Sequence, residues 1–125
     1  MGIEEFKKKW LEAFAKGIAE EDIPYYFPDR EYIWHIFSWK VMEDSQYLEG
    51  DAASEAFEKA DKTGVMYIEP FDKDASLRPL NQEMRSAALL DDRFVEVYIV
   101  SADWTWTYIK THENDLCGPY FRKLN

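Results

Sequence analysis

Two runs joined by three residues constrain this chain most: "RFVEVYIV", residues 93–100, then "SAD", then "WTWTYIKTH", residues 104–112. In the first, Val95, Val97 and Ile99 alternate with Glu96 and Tyr98; in the second, Trp104, Trp106 and Tyr108 alternate with Thr105, Thr107, Ile109 and Thr111. A period of two in β-branched and aromatic residues is the pattern of strands, and the short polar junction predicts an antiparallel hairpin. Continuing the alternation places Trp104, Trp106, Tyr108 and His112 on one sheet face, an aromatic strip ending in an imidazole. Such a strip is either the side on which a helix packs or the wall of a pocket.

The rest of the chain supplies partners for that hairpin. Ile3, Phe6, Trp10, Phe14 and Ile18 recur at three- and four-residue intervals, which predicts an amphipathic N-terminal helix with Lys7, Lys8 and Lys9 on its solvated face. Pro24 and Pro28 bar its continuation. The β-branched and aromatic run "EYIWHIFSW", residues 31–39, is expected to be an interior strand, and "VMYIEPF", residues 65–71, a strand terminated by Pro70. Between them, Asp51 suits a helix N-cap, Ala53, Ala56, Phe57 and Ala60 form a small-residue stripe, and Gly64 suits the exit. "NQEMRSAALL" from Asn81 can form a short helix. The sum is an α+β fold in a single domain, 1–125. It has a mainly antiparallel sheet of about four strands (near 31–39, 65–70, 94–100 and 104–112), an N-terminal amphipathic helix and one or two further helices packed on it.

A chain of 125 residues with 17% aromatic residues can bury a core without disulfides or a structural metal. Its 25 acidic residues against 15 basic ones give a net charge of −10, concentrated in the N-terminal half, and that argues against nucleic acid. Acidity of this degree serves solubility or attracts a basic protein. No apolar run approaches the ~18 residues of a membrane span, and "MGIEEFKKKW" has no apolar stretch behind its lysines. The single cysteine, Cys117, cannot close an intrachain disulfide. A soluble, unexported, cytoplasmic protein is expected.

Chemically capable residues are few. His35 and His112 are the two histidines, and Glu113 and Cys117 lie near the second. "HENDLC" matches no paired-ligand spacing for zinc, so neither a metal nor another cofactor is expected. A Cys117–His112 nucleophilic pair is conceivable, but no oxyanion-forming motif accompanies it, and no catalytic residue is assigned. The scattered single glycines exclude a phosphate-cradling loop. Trp34, His35, Trp39, Trp106, His112, Glu113 and Tyr120 are expected to surround one locality, as bulky aromatics beside titratable groups are packed together or used together.

Two blocks also resemble a family of small bacterial proteins classed as a domain of unknown function. Trp34, His35, Phe37, Ser38 and Trp39 match the first block. Trp106, Thr107, Tyr108, Thr111, His112, Glu113, Gly118, Pro119, Tyr120 and Phe121 match the second. The resemblance implies a bacterial cytoplasmic α+β protein of unassigned role, with no catalytic residue to inherit. Two functions stay open. One is a non-enzymatic protein-binding module, such as an immunity-type inhibitor of a basic partner. The other is a small hydrolase or ligand-binding protein whose pocket joins His112 and Glu113 to His35 and Tyr120, with Trp106 as a wall. Homo-oligomerisation through leftover aromatics is a third, structural possibility.

Overall fold

A computed structural model describes residues 1–16, 21, 32–38, 46–113 and 116–124, and for His35 and Ser38 the backbone alone. In chain order the elements are α1 (Ile3–Phe14), α2 (His35–Ser38), β1 (Leu48–Glu49), α3 (Asp51–Lys59), β2 (Met66–Ile68), β3 (Arg78–Pro79), a 3-10 turn (Gln82–Met84), α4 (Ala87–Arg93), β4 (Val97–Val100), β5 (Trp106–Lys110) and β6 (Tyr120–Lys123). The strands form one six-stranded antiparallel sheet in the order β1-β6-β5-β4-β2-β3. The hairpin is present as β4 and β5, with Ile99 opposite Tyr108.

The α+β class and the antiparallel sheet agree with the sequence pattern, but among the described residues the sheet has six strands rather than about four, and one expected strand is absent. Within 31–39, residues His35–Ser38 form a helical turn. Ile33, Trp34, Ile36 and Phe37 are all fully buried, and a short run that is apolar on every side has no period by which strand and helix can be told apart. Strands β1 and β3 are two residues each, too short to leave a pattern; Pro79 in β3 lacks a ladder donor and is tolerated at the sheet edge. Asp51 does not cap α3 but opens it. Gly50 holds the cap position at φ 68°, a left-handed conformation that favours glycine, and the Asp51 carboxylate sits in the first turn, where the helix dipole favours it.

Both faces of the sheet are covered. Register puts Tyr98, Ile109 and Tyr120 in line across the sheet, and on that side α1 and the 33–37 segment deliver Phe6, Trp10, Phe14, Trp34 and Phe37. Ile99, Tyr108 and Phe121 line the other side, beneath Phe57 of α3 and Leu90 of α4. All four residues of β4 are therefore buried, including Tyr98, which the alternation sets on the same side as Glu96. Trp10 ties α1 to the sheet: its indole donates to Thr107 Oγ1 at 2.9 Å, and that hydroxyl donates to the Ile99 carbonyl at 2.7 Å.

The expected aromatic strip divides between these faces. Trp106 and Tyr108 lie under α3, with Tyr108 stacked on Phe57 at 4.4 Å, and burial raises the Tyr108 phenol to about 12. Trp104 instead takes φ 58° in the β4–β5 turn and packs on Phe6 at 5.6 Å on the α1 side. His112 lies beyond the end of β5 and also turns to that side. Gly64, at φ 70°, abuts the same β4–β5 turn, where an added Cβ would meet the Ala102 Cβ at 2.9 Å. Gly64→Ala is expected to lose about 1–3 kcal/mol from backbone strain and this contact, read from the urea midpoint. Among the described residues no helix is long and apolar enough to cross a membrane.

Candidate functional site

Glu96, immediately before β4, is the centre of the arrangement around His112. Its side chain is fully buried, and a buried carboxylate requires donors. Oε1 accepts from Trp34 Nε1 at 2.9 Å and from the His112 backbone N–H at 3.2 Å, and it lies 2.9 Å from His112 Nδ1. Oε2 has no hydrogen-bond partner among the described residues. Burial pushes the Glu96 carboxyl above its ordinary value, against the hydrogen bonds from His112 and Trp34 that lower it. On the same strand face, burial raises the Tyr98 phenol well above its ordinary value and the Glu96 charge adds to this.

His112 is set in an aromatic surround. Its ring lies 4.9 Å from Tyr32, 5.8 Å from Trp34 and 5.8 Å from Phe71, centroid to centroid. Behind it, Trp34 stacks on Tyr120 at 6.2 Å. The imidazole keeps 26% of its side-chain surface open, and Nε2 lies 3.6 Å from Oε1 of Glu113, itself 43% open. Thr111 holds the following turn: its hydroxyl donates to the Cys117 carbonyl at 2.6 Å and accepts from the Glu113 N–H at 3.2 Å.

Of the seven residues expected to share one locality, the structure brings together Trp34, His112, Glu113 and Tyr120. Trp106 lies on the opposite sheet face, between Phe57 and Phe121, because it shares the face of Tyr108 and β5 ends before His112, so strand parity does not carry that face on to the histidine. His35 starts α2, but its side chain lies outside the described residues, as does the whole of Trp39. Three contributors went unnoticed in the sequence: Glu96, Tyr32 and Phe71. Glu96 carried one signal, since it shares the parity of Tyr98, but only knowledge that this face is covered turns that parity into burial.

Chemically, Glu96 fixes the imidazole and leaves Nε2 toward the surface, a disposition that suits a positioned hydrogen-bonding group. A Cys117–His112 nucleophilic pair is not formed. Cys117 Sγ faces Glu113 Oε2 at 3.6 Å, and burial, then the Glu113 hydrogen bond and charge, raise its thiol rather than activating it. No group of three or more His, Cys, Asp or Glu among the described residues is placed to hold a metal ion. Cavities of about 560 Å³ and about 250 Å³ open elsewhere, and neither is lined by His112 or Glu113.

Comparison with curated proteins and with solved structures yields no match. The model of one family, described as Domain of unknown function (DUF4275), matches residues 3–121, which spans every element from α1 into β6, and the chain belongs to that family.

Proposed function

We propose that this protein is a non-enzymatic protein-binding module, an immunity-type inhibitor of a basic partner, acting in the bacterial cytoplasm. The observation that carries the proposal is Phe71, 45% exposed and packed edge-on against Tyr32 and His112. A large aromatic braced by a ring, His112, that the buried Glu96 holds in place is the form of an interface anchor, since it contributes contact area with little ordering left to lose. Its surroundings are acidic. Phe71 rises from the loop carrying Glu69, Asp72 and Asp74 against Lys73 alone, and Glu113 flanks His112. With the net charge of −10, this field would speed encounter with a basic surface and repel an acidic one.

Affinity capture on the immobilised protein, followed by calorimetric titration of any basic protein retained, tests this. Phe71→Ala is expected to weaken that complex by at least about tenfold, and added salt to slow its formation. Retention of no basic protein, or equal affinity for wild type and Phe71→Ala, would overturn the proposal.

A further inference from the structure

The cavity of about 560 Å³ lies on the sheet face opposite His112, between the end of α3 and the β4–β5 turn, and it is independent of the interface proposed above. Its volume falls in the range of small-molecule sites. Trp106 and Phe121, stacked at 5.5 Å, form its floor, and Lys59, Asp61, Asp103 and Lys123 stand around it. Lys123 is directly opposite Trp106 in the β5–β6 register, so its side chain rises from the same face as the floor.

The four charged groups differ in how they are held. Asp61 accepts from the Thr63 N–H at 2.9 Å and its hydroxyl at 2.8 Å, and Asp103 accepts from Thr105 Oγ1 at 2.7 Å and Ser101 Oγ at 2.9 Å. In each case these bonds fall on Oδ1, which orients the carboxylate without occupying Oδ2. Lys62 is committed elsewhere: its ammonium donates to the Phe57 and Ala60 carbonyls at the end of α3. Lys59 and Lys123 make no hydrogen bond or ion pair among the described residues.

Two oriented carboxylates and two uncommitted ammonium groups around an aromatic floor select by charge. A simple anion would meet Asp61 and Asp103, and a simple cation would meet Lys59 and Lys123. The −10 field also opposes approach of a free anion, whereas a ligand of zero net charge carrying both signs is not repelled. We propose that this cavity binds a free amino acid with an apolar side chain. Its carboxylate is taken by Lys59 and Lys123, its ammonium by Asp61 and Asp103, and its side chain rests against Trp106 and Phe121.

The test is an NMR titration of ¹⁵N-labelled protein with L-leucine, L-methionine, L-phenylalanine and L-tryptophan, each to about 10 mM. At least one is expected to give saturable shifts concentrated in the amides of 60–64 and 101–106. Its des-amino and decarboxylated analogues are expected to bind at least about tenfold more weakly, as is Lys59→Ala/Lys123→Ala protein. These lysines are exposed and unbonded, so the double variant keeps the fold, which its unchanged remaining spectrum verifies. Absence of shifts with all four amino acids would overturn the proposal. Equal binding of a single-charge analogue, or of the double variant, would do the same.

Discussion

Glu96→Ala is expected to destabilise the protein by about 3–5 kcal/mol, because it removes at once the acceptor of the buried Trp34 indole N–H and of the His112 backbone N–H, and the partner of the His112 ring. The Trp34 indole N–H, the His112 backbone N–H and the His112 ring all meet at Oε1. Truncation also opens space beneath Tyr32 and His112, adding a packing loss. Glu96→Gln separates acceptor from charge, since its amide oxygen can still receive the indole and the backbone N–H. That variant should retain most of the stability, as measured by urea denaturation near neutral pH. A Glu96→Ala midpoint equal to wild type would show that this junction contributes nothing.

The same residue fixes the sign of a pH effect. Burial raises the Glu96 carboxyl in the folded state, so the fold holds this proton to higher pH than the unfolded chain does. Stability from this group is therefore greatest below the unfolded-state value and declines as pH rises from there through the raised folded value. Glu96→Gln should lack that decline, and identical pH slopes in the two proteins would assign it to another group.

Trp10→Ala is expected to cost a further large amount, about 3–5 kcal/mol, by emptying the space between α1 and the sheet. Trp10 is fully buried, contacts Phe14, Phe37 and Tyr98 within 6.0 Å, and donates to Thr107. Thr107→Val keeps the volume but leaves the indole N–H unpaired, for an expected loss of about 1–3 kcal/mol. In the double variant the two losses should sum to more than the measured total, because the Trp10–Thr107 bond is counted in both. Strict additivity would mean that this bond does not couple helix to sheet.

These two junctions show why some of the molecule was legible in the sequence and some was not. The stripe Phe6, Trp10, Phe14 and the alternation through β4 and β5 are local periods, and the helix and hairpin form within the spans they mark, the strands shorter at their ends than the alternation runs. What lies over each sheet face is not local. Val95 shares parity with Val97 yet is 59% exposed in the bend before β4, while Glu96 is buried and bonded to Trp34 on the side that α1 and the 33–37 segment cover. Residue type points to the grouping of Trp34, His112, Glu113 and Tyr120, but Glu96, whose parity with Tyr98 does not by itself indicate burial, and Phe71, in a loop without periodicity, hold and display it. Trp104 and His112 leave the face of Trp106 and Tyr108 because strand pairing covers only Trp106–Lys110.

The brevity of the outer strands has a consequence for how any second chain could attach. Leu48–Glu49 and Arg78–Pro79 each offer only two residues of ladder, and Pro79 removes a donor from one of them. Among the described residues too little backbone remains at either margin to seat an incoming β-strand, a route that elsewhere gives both peptide capture and runaway fibre growth. Recognition is thereby shifted from main chain to side chains, and substitutions at a few surface positions can redirect which molecule is chosen while leaving the sheet intact.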